Sequence, residues 1–212
     1  MIFTLLKNII ILLILINIYS CESSMNKTII CLGDSITFGY LNSKSSWVSI
    51  LNDNFSDTTF INKGINGDTT TGMLNRLRED VLNYNPDTII FMGGINDIAL
   101  NIDLETMKSN IIEIYNTSKE NKIELIILTL LPAPILNIEI GERFNDIFNE
   151  YNRWLISYAN ENFIKYIDTY SIMTNILKTE NDIYSDGLHL TKTGNKILAN
   201  ELKDILIKEG II

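Results

Sequence analysis

Short apolar runs and longer amphipathic segments alternate along the chain from residue 28 onward. The short runs predict five buried strands, and the segments between them, with apolar residues three and four positions apart, predict helices. The predicted strands cover residues 28–32, 59–62, 88–92, 125–129 and 163–168. The predicted helices cover residues 47–53, 73–83, 104–119, 143–160 and 192–208. This alternation indicates an α/β domain with a parallel sheet between two layers of helices.

The carboxyl ends of the strands are the expected position of a functional site. Parallel strands joined by right-handed crossovers all end at one edge of the sheet, where α/β proteins bind their ligands. The longest loop candidate, residues 131–142, follows the fourth predicted strand, contains Pro132 and Pro134, and is expected to form a wall of a substrate pocket. No internal repeat or low-complexity linker interrupts the chain, so we expect one domain over residues 28–212.

Residues 1–20 have the outline of a signal peptide. Lys7 and the amino terminus supply positive charge, and the apolar run over residues 9–16 is too short to span a bilayer. The following Cys21 completes a segment, Ile-Tyr-Ser-Cys, that resembles the lipobox of bacterial lipoproteins, so Cys21 is a candidate for lipidation and residues 21–27 for a tether. We therefore expect an exported protein held at the membrane by a lipid anchor. An ordinary signal peptide, giving a periplasmic or secreted protein, or an uncleaved anchor is the alternative.

Composition excludes several classes of function. The 212 residues include 17 basic and 26 acidic side chains, for a formal net charge of −9, and the basic residues are not clustered, which argues against a nucleic-acid partner. One histidine and two cysteines are too few donors for a zinc site of several imidazole or thiolate ligands, or for a disulfide scaffold. We expect no metal or other cofactor.

Glycines beside small polar residues mark the ends of the first three predicted strands. The segments are Gly33-Asp34-Ser35, then residues 62–70 with Gly64 and Gly67, then Gly93-Gly94-Ile95-Asn96-Asp97, and a fourth, Asp186-Gly187-Leu188-His189, precedes the last predicted helix. Glycine lets the backbone turn sharply or approach a ligand, so its amides can point into a pocket. We expect the carboxylates of Asp34 and Asp97 to hold these turns by accepting hydrogen bonds from backbone amides.

Ser35 and His189 have the chemistry of a nucleophile and its base. A serine hydroxyl needs a base to remove its proton, and a neutral imidazole held by a carboxylate is the usual arrangement. His189 is the only imidazole in the chain, and Asp186 precedes it by three residues, close enough to hold its Nδ1. A lone histidine can equally be structural. Candidate donors for the oxyanion are the N–H groups of Ser35 and Gly67 and the side-chain amide of Asn96.

These four segments resemble the four sequence blocks of the GDSL, or SGNH, hydrolases, in the same order and over nearly the whole exported chain. The resemblance is closest to the thioesterase and lysophospholipase-like branch. It implies a flavodoxin-like three-layer α/β/α fold with a five-stranded sheet. It also implies Ser35 as nucleophile, His189 as base, Asp186 as its partner, and Ser35, Gly67 and Asn96 as oxyanion donors.

The expected function is that of an exported serine esterase that cleaves small acyl esters through an acyl-enzyme intermediate. Within the same family, a carbohydrate or cell-wall O-acetyl esterase is an alternative. A surface lipoprotein that binds a ligand without catalysis is a second alternative, because a fold does not by itself establish an activity.

Overall fold

A parallel sheet forms the centre of the protein in a computed structural model, which describes residues 26–136 and 141–212. Its strands are β1 (Lys27–Gly33), β2 (Thr58–Gly64), β3 (Thr88–Met92), β4 (Glu124–Leu128) and β5 (Lys165–Ile167). They lie in the order β2-β1-β3-β4-β5, and every neighbouring pair is parallel. The predicted five-stranded parallel sheet is confirmed.

Helices cover both faces of this sheet. They are α1 (Ser35–Phe38), α2 (Trp47–Asn54), α3 (Thr70–Asn75), α4 (Leu77–Asp80), α5 (Ile95–Ala99), α6 (Leu104–Glu120), α7 (Glu142–Glu161), α8 (Thr169–Ile176) and α9 (Lys192–Lys208). Successive side chains of a strand point to opposite faces, so Ile30 and Leu32 of β1 enter one hydrophobic core while Ile29 and Cys31 enter the other. Helices α3 to α7 pack into the first core, and α1, α2, α8 and α9 into the second. The predicted three-layer α/β/α architecture is confirmed.

The predicted helix over residues 73–83 is wrong in its extent. The segment is divided into α3, α4 and a 3₁₀ turn over Leu82–Tyr84. Met73, Leu77 and Val81 are all buried in one core at four-residue spacing, which is why the pattern indicated one helix. The backbone breaks at Arg76 (φ −98°, ψ 6°), whose side chain binds groups outside the helix.

The predicted fifth strand is too long at both ends. β5 has three residues, and Phe163 lies before it in a turn at φ 57° with its side chain 97% exposed. The fourth strand begins and ends one residue earlier than predicted. The remaining predicted elements agree to within two residues, and residues 88–92 and 192–208 agree at both ends.

The short helices α1, α5 and α8 were not predicted, because four to eight residues are too few to show a helical period. Within the predicted loop 131–142, residues 134–136 are helical and residues 137–140 lie outside the described residues. The N–H of Ile135 donates to the carbonyl of Gly187 at 3.2 Å, so the segment lies beside the predicted histidine turn.

The predicted signal peptide and Cys21 lie outside the described residues, as does most of the predicted tether 21–27. Within the part of the chain that the structure describes, no helix combines the length and apolar character needed to cross a membrane.

Candidate active site

Ser35 is the first residue of α1 and lies directly beyond the carboxyl end of β1. Asp34 caps this helix, because its Oδ1 accepts a hydrogen bond from the N–H of Ile36 at 2.9 Å. The Ser35 Oγ lies 2.9 Å from the Nε2 of His189. The topology thus brings together two side chains that are 154 positions apart in the sequence.

His189 is held by Asp186 on the side facing away from Ser35. Its Nδ1 lies 2.7 Å from Asp186 Oδ2, and Asp186 Oδ1 accepts the N–H groups of Leu188 at 3.0 Å and His189 at 2.7 Å. Burial opposes the charge on this carboxylate, but the hydrogen bonds from His189 and Leu188 outweigh it and lower the pKa of Asp186. With Asp186 ionised, Nδ1 carries the proton and Nε2 is free to accept one from Ser35.

The three candidate oxyanion donors follow the ends of neighbouring strands. Gly33, the last residue of β1, pairs with Gly64 of β2 and with Met92 of β3, so the segments that follow these strands lie side by side. Ser35, Gly67 and Asn96 belong to these three segments in turn. Among the residues that the structure describes, the N–H groups of Ser35 and Gly67 have no hydrogen-bond acceptor.

The backbone at Gly67 and the side chain of Asn96 are joined through Asp68. Gly67 has φ 75°, a conformation that glycine adopts without strain. The Asn96 Nδ2 donates one hydrogen bond to the carbonyl of Asp68 at 2.8 Å. A second N–H on the same nitrogen remains for another acceptor.

Asp34 and Asp97 hold backbone amides, as the sequence predicted. The side chains of Asp34 and Asp97 are both buried. The Asp97 carboxylate accepts hydrogen bonds from the N–H of Thr70 at 2.9 Å and from its hydroxyl at 2.6 Å. Burial raises the pKa of Asp97. Burial also raises the pKa of Asp34 to about 7, and its Oδ2 has no hydrogen-bond partner among the described residues.

An apolar rim, defined as Phe38, Tyr40, Leu41 and Ile65, adjoins the Ser35 turn. The Tyr40 ring lies 4.3 Å from the His189 ring, measured between centroids, and the four side chains are exposed. Leu41 has φ 62° and is 72% exposed, so an apolar side chain is held in solvent on an uncommon backbone conformation. Tyr40 lies near the Gly33-Asp34-Ser35 segment in the sequence and is a candidate pocket-lining residue on that ground, but Phe38, Leu41 and Ile65 gave no signal, because an exposed apolar residue resembles a core residue in sequence.

Arg76 is a partly buried residue near the site that the sequence pattern did not identify. It lies within the predicted helix 73–83, where an arginine is ordinary. In the structure its guanidinium reaches the carbonyl of Gly33 at 3.0 Å. Across residues 26–136 and 141–212, no three His, Cys, Asp or Glu side chains lie close enough together to hold a metal ion.

Comparison with known proteins identifies a family for this chain. The sequence matches the GDSL-like Lipase/Acylhydrolase family over residues 31–197. An arylesterase from Vibrio mimicus is 24% identical over 201 residues, covering 92% of this chain and 96% of the relative. An acetylxylan esterase from Geobacillus stearothermophilus is 29% identical over 154 residues, covering 66% of this chain and 68% of the relative. The structure of a lipolytic protein of the G-D-S-L family from Desulfitobacterium hafniense has a TM-score of 0.76 at 25% identity, covering 85% of this chain and 100% of that one.

Proposed function

Because this chain belongs to the GDSL-like lipase/acylhydrolase family, we propose that it is an exported serine esterase in which Ser35 attacks acyl esters with His189 as its base. One observation carries the proposal: the Ser35 Oγ lies 2.9 Å from His189 Nε2, and the other ring nitrogen lies 2.7 Å from Asp186. This is the geometry in which an imidazole can accept the serine proton while a carboxylate stabilises the resulting cation.

The first half of the reaction acylates Ser35. As the Oγ bonds to the acyl carbon, its proton passes to His189 Nε2, and the carbonyl oxygen becomes an oxyanion. The N–H groups of Ser35 and Gly67 and the Asn96 amide supply hydrogen bonds to that oxygen. The bond to the leaving alcohol then breaks, and the alcohol takes the proton back from His189.

The second half releases the acid. A water molecule gives a proton to His189 Nε2 and bonds to the acyl carbon, and the same donors hold the oxyanion that forms. The bond to Ser35 Oγ breaks, and the oxygen recovers its proton from His189. Asp186 remains ionised throughout and keeps the ring in one tautomer.

Replacing Ser35 tests this assignment. We expect Ser35→Ala to lower the kcat for p-nitrophenyl acetate by about 10⁴-fold or more, because the nucleophile is removed. Ser157→Ala is the matched control, since Ser157 lies on the exposed side of α7 and its hydroxyl, within the described part of the chain, bonds only to Glu161. Full activity in Ser35→Ala would refute the assignment. Saturable ligand binding without turnover of any ester would favour the non-catalytic alternative.

The proposed anchor restricts the substrate to esters outside the anchoring bilayer. Five residues separate Cys21 from Lys27, where β1 begins, and the six residue steps between them span at most about 22 Å when extended. β1 carries the chain about 20 Å further, and Ser35 lies at its far end. Bringing Ser35 to the bilayer surface would require an inverted domain with the tether at its full extension. We therefore propose soluble or cell-wall esters as the substrates.

Lipidation and reach can be tested separately from catalysis. Metabolic labelling with an alkyne fatty acid should label the wild type but not Cys21→Ala. Inserting 20 Gly/Ser residues after Ser24 should leave hydrolysis of a soluble ester unchanged and increase hydrolysis of a vesicle lipid. Unlabelled wild type would contradict the anchor, and efficient vesicle hydrolysis without the insertion would contradict the limit on reach.

A carbohydrate or cell-wall O-acetyl esterase is the second candidate function. It is favoured by the acetylxylan esterase relative and by the limit that the tether sets on reach. Hydrolysis of p-nitrophenyl esters from acetyl to palmitoyl discriminates between the candidates. A preference for acetyl would support deacetylation, and a preference for longer chains would support lipid or thioester substrates.

A further inference from the structure

We propose that Arg76 is a positioning residue that fixes the three segments carrying the oxyanion donors relative to one another. This inference rests on the proposed function. The Arg76 side chain lies at the break between α3 and α4 and is only 13% exposed. The Nη2 donates to the carbonyl of Gly33 at 3.0 Å. The Nε donates to Asp68 Oδ2 at 2.7 Å, and the Nη1 donates to Asp80 Oδ2 at 2.8 Å. One planar group thus binds three separate segments of the chain.

The bond to Gly33 restrains the backbone that carries Ser35. Gly33 is the last residue of β1 and lies two positions before Ser35. The turn is closely packed, since a Cβ on Gly33 would lie 2.2 Å from Thr37 Oγ1 and 2.6 Å from the carbonyl of Met92. A charged donor on the Gly33 carbonyl therefore limits rotation of the peptide that leads into the nucleophile and its N–H.

The bond to Asp68 restrains the other two donors. Asp68 directly follows Gly67, and its Oδ1 accepts the N–H of Thr69 at 2.9 Å while Arg76 holds its Oδ2. The carbonyl of Asp68 is the acceptor that orients the Asn96 amide, at 2.8 Å. Displacing Asp68 would therefore move both the Gly67 N–H and the Asn96 amide.

Charge gives Arg76 a second effect on the same donors. Burial is the main cause of the raised pKa of Asp34 and of Asp97, and repulsion from the Asp68 carboxylate adds to it, so the charge of Asp68 acts on the segments that carry the oxyanion donors. A negative charge forming on the substrate is repelled by the Asp68 carboxylate, and the Arg76 cation bonded to Asp68 at 2.7 Å offsets that repulsion.

Lys63 provides a matched control in the same ion-pair network. Its Nζ donates to Asp80 at 3.0 Å, as Arg76 does, and its second bond is to the Tyr84 hydroxyl at 2.8 Å. It makes no hydrogen bond to Gly33 or Asp68 among the described residues. Lys63→Met therefore removes a neighbouring cation without releasing the oxyanion segments.

The experiment measures kcat, KM and inhibition by phenylboronic acid for the full chain and for Arg76→Met, Arg76→Lys and Lys63→Met. Phenylboronic acid forms a tetrahedral adduct with a nucleophilic serine and therefore reports on the oxyanion donors. We expect both Arg76 variants to lower the kcat for p-nitrophenyl acetate by about 10–100-fold, because a small misplacement of catalytic groups is costly. The inhibition constant should rise by a similar factor while KM changes by less than about threefold. Lys63→Met should retain the wild-type kcat.

The outcomes separate this inference from the proposed function. An Arg76→Lys variant that is folded and has the wild-type kcat and inhibition constant would overturn the role of Arg76 alone. Unfolding of both Arg76 variants, measured by circular dichroism, would show a purely structural role and would also overturn it. Absence of Ser35-dependent turnover in the wild type would overturn the proposed function, and the role of Arg76 with it.

Discussion

Replacing Asp34 with asparagine should change how the stability of the protein depends on pH. Asp34 is buried at the start of α1, and its Oδ1 accepts the N–H of Ile36. Asparagine retains an oxygen at that position, so it can cap the helix, but it cannot ionise. The substitution therefore removes a titratable group and keeps the shape of the turn.

The magnitude follows from the pKa of Asp34, which burial raises from its ordinary value of 3.8 to about 7. Between these values the folded protein retains a proton that the unfolded chain has lost, so the free energy of unfolding falls as pH rises. From pH 5 to pH 8 this loss is about 3 kcal/mol, at about 1.4 kcal/mol for each pH unit up to 7. Asp34→Asn should lack this loss. Its new amide N–H₂ carries a burial cost of about 1–3 kcal/mol that does not depend on pH.

Urea unfolding of the wild type and of Asp34→Asn at pH 5, 6, 7 and 8 measures the effect. The difference in free energy of unfolding should shift by about 3 kcal/mol in favour of the variant across this range. Asp103→Asn is the matched control, because Asp103 also caps a helix, α6, through the N–H of Thr106. Hydrogen bonds from Thr106 lower the pKa of Asp103, so its contribution is already complete above pH 5 and the control difference should be flat.

A difference between wild type and Asp34→Asn that stays constant from pH 5 to pH 8 would refute the reasoning. It would mean that the Asp34 carboxyl ionises in the folded protein near its ordinary pKa. The result does not depend on the identity of the substrate, since the measurement concerns folding alone.

Three further predictions concern the site and the segments that carry it. Asp186→Asn should lower kcat by about 10³–10⁴-fold, because an amide no longer holds the proton on His189 Nδ1; retention of more than a tenth of the activity would contradict this. Asn96→Ala should lower kcat by about 10²–10³-fold with little change in KM, as expected for a donor used in the transition state, and an equal change in both parameters would argue against that role. Tyr151→Phe should reduce the free energy of unfolding by about 1–2 kcal/mol in urea titrations, because the Tyr151 hydroxyl donates to the buried carbonyl of Gly93 at 3.0 Å; unchanged stability would show that this bond contributes nothing.

The order of strands and helices was predictable because burial leaves a periodic pattern in the sequence. β3 is buried at every residue and α9 buries one face, so an unbroken apolar run and a spacing of three to four residues located both accurately. The hydrophobic pattern gave wrong element bounds where buried residues keep a regular spacing although the backbone leaves the helix or strand. Met73, Leu77 and Val81 keep helical spacing across the break at Arg76, and Phe163 has the composition of a strand residue but lies in an exposed turn.

The candidate catalytic and oxyanion-binding residues could be identified from the sequence because each lies in a short glycine-containing segment at one end of a predicted element. Ser35 and Asn96 lie in glycine-containing segments after strands, His189 lies in a glycine-containing segment before the last helix, and His189 is the only histidine in the sequence. Residues that act through position left no such signal. Arg76 is an ordinary helix residue in sequence, and Tyr40 is predictable only as a residue near Ser35 that could line a pocket, since its contact with the His189 ring depends on the fold.

The sequence by itself thus determined the strand and helix pattern, the parallel sheet and the side chains able to supply a nucleophile, a base and oxyanion donors, because these depend on local periodicity and residue type. Only the tertiary structure decided that Ser35 and His189 meet at 2.9 Å and that Arg76 joins Gly33 to Asp68. It also decided that Asp34 is buried with no described residue bonded to its second oxygen. These properties depend on which segments the crossovers bring together and on how far each group is removed from water, and neither is a property of neighbouring residues in the sequence.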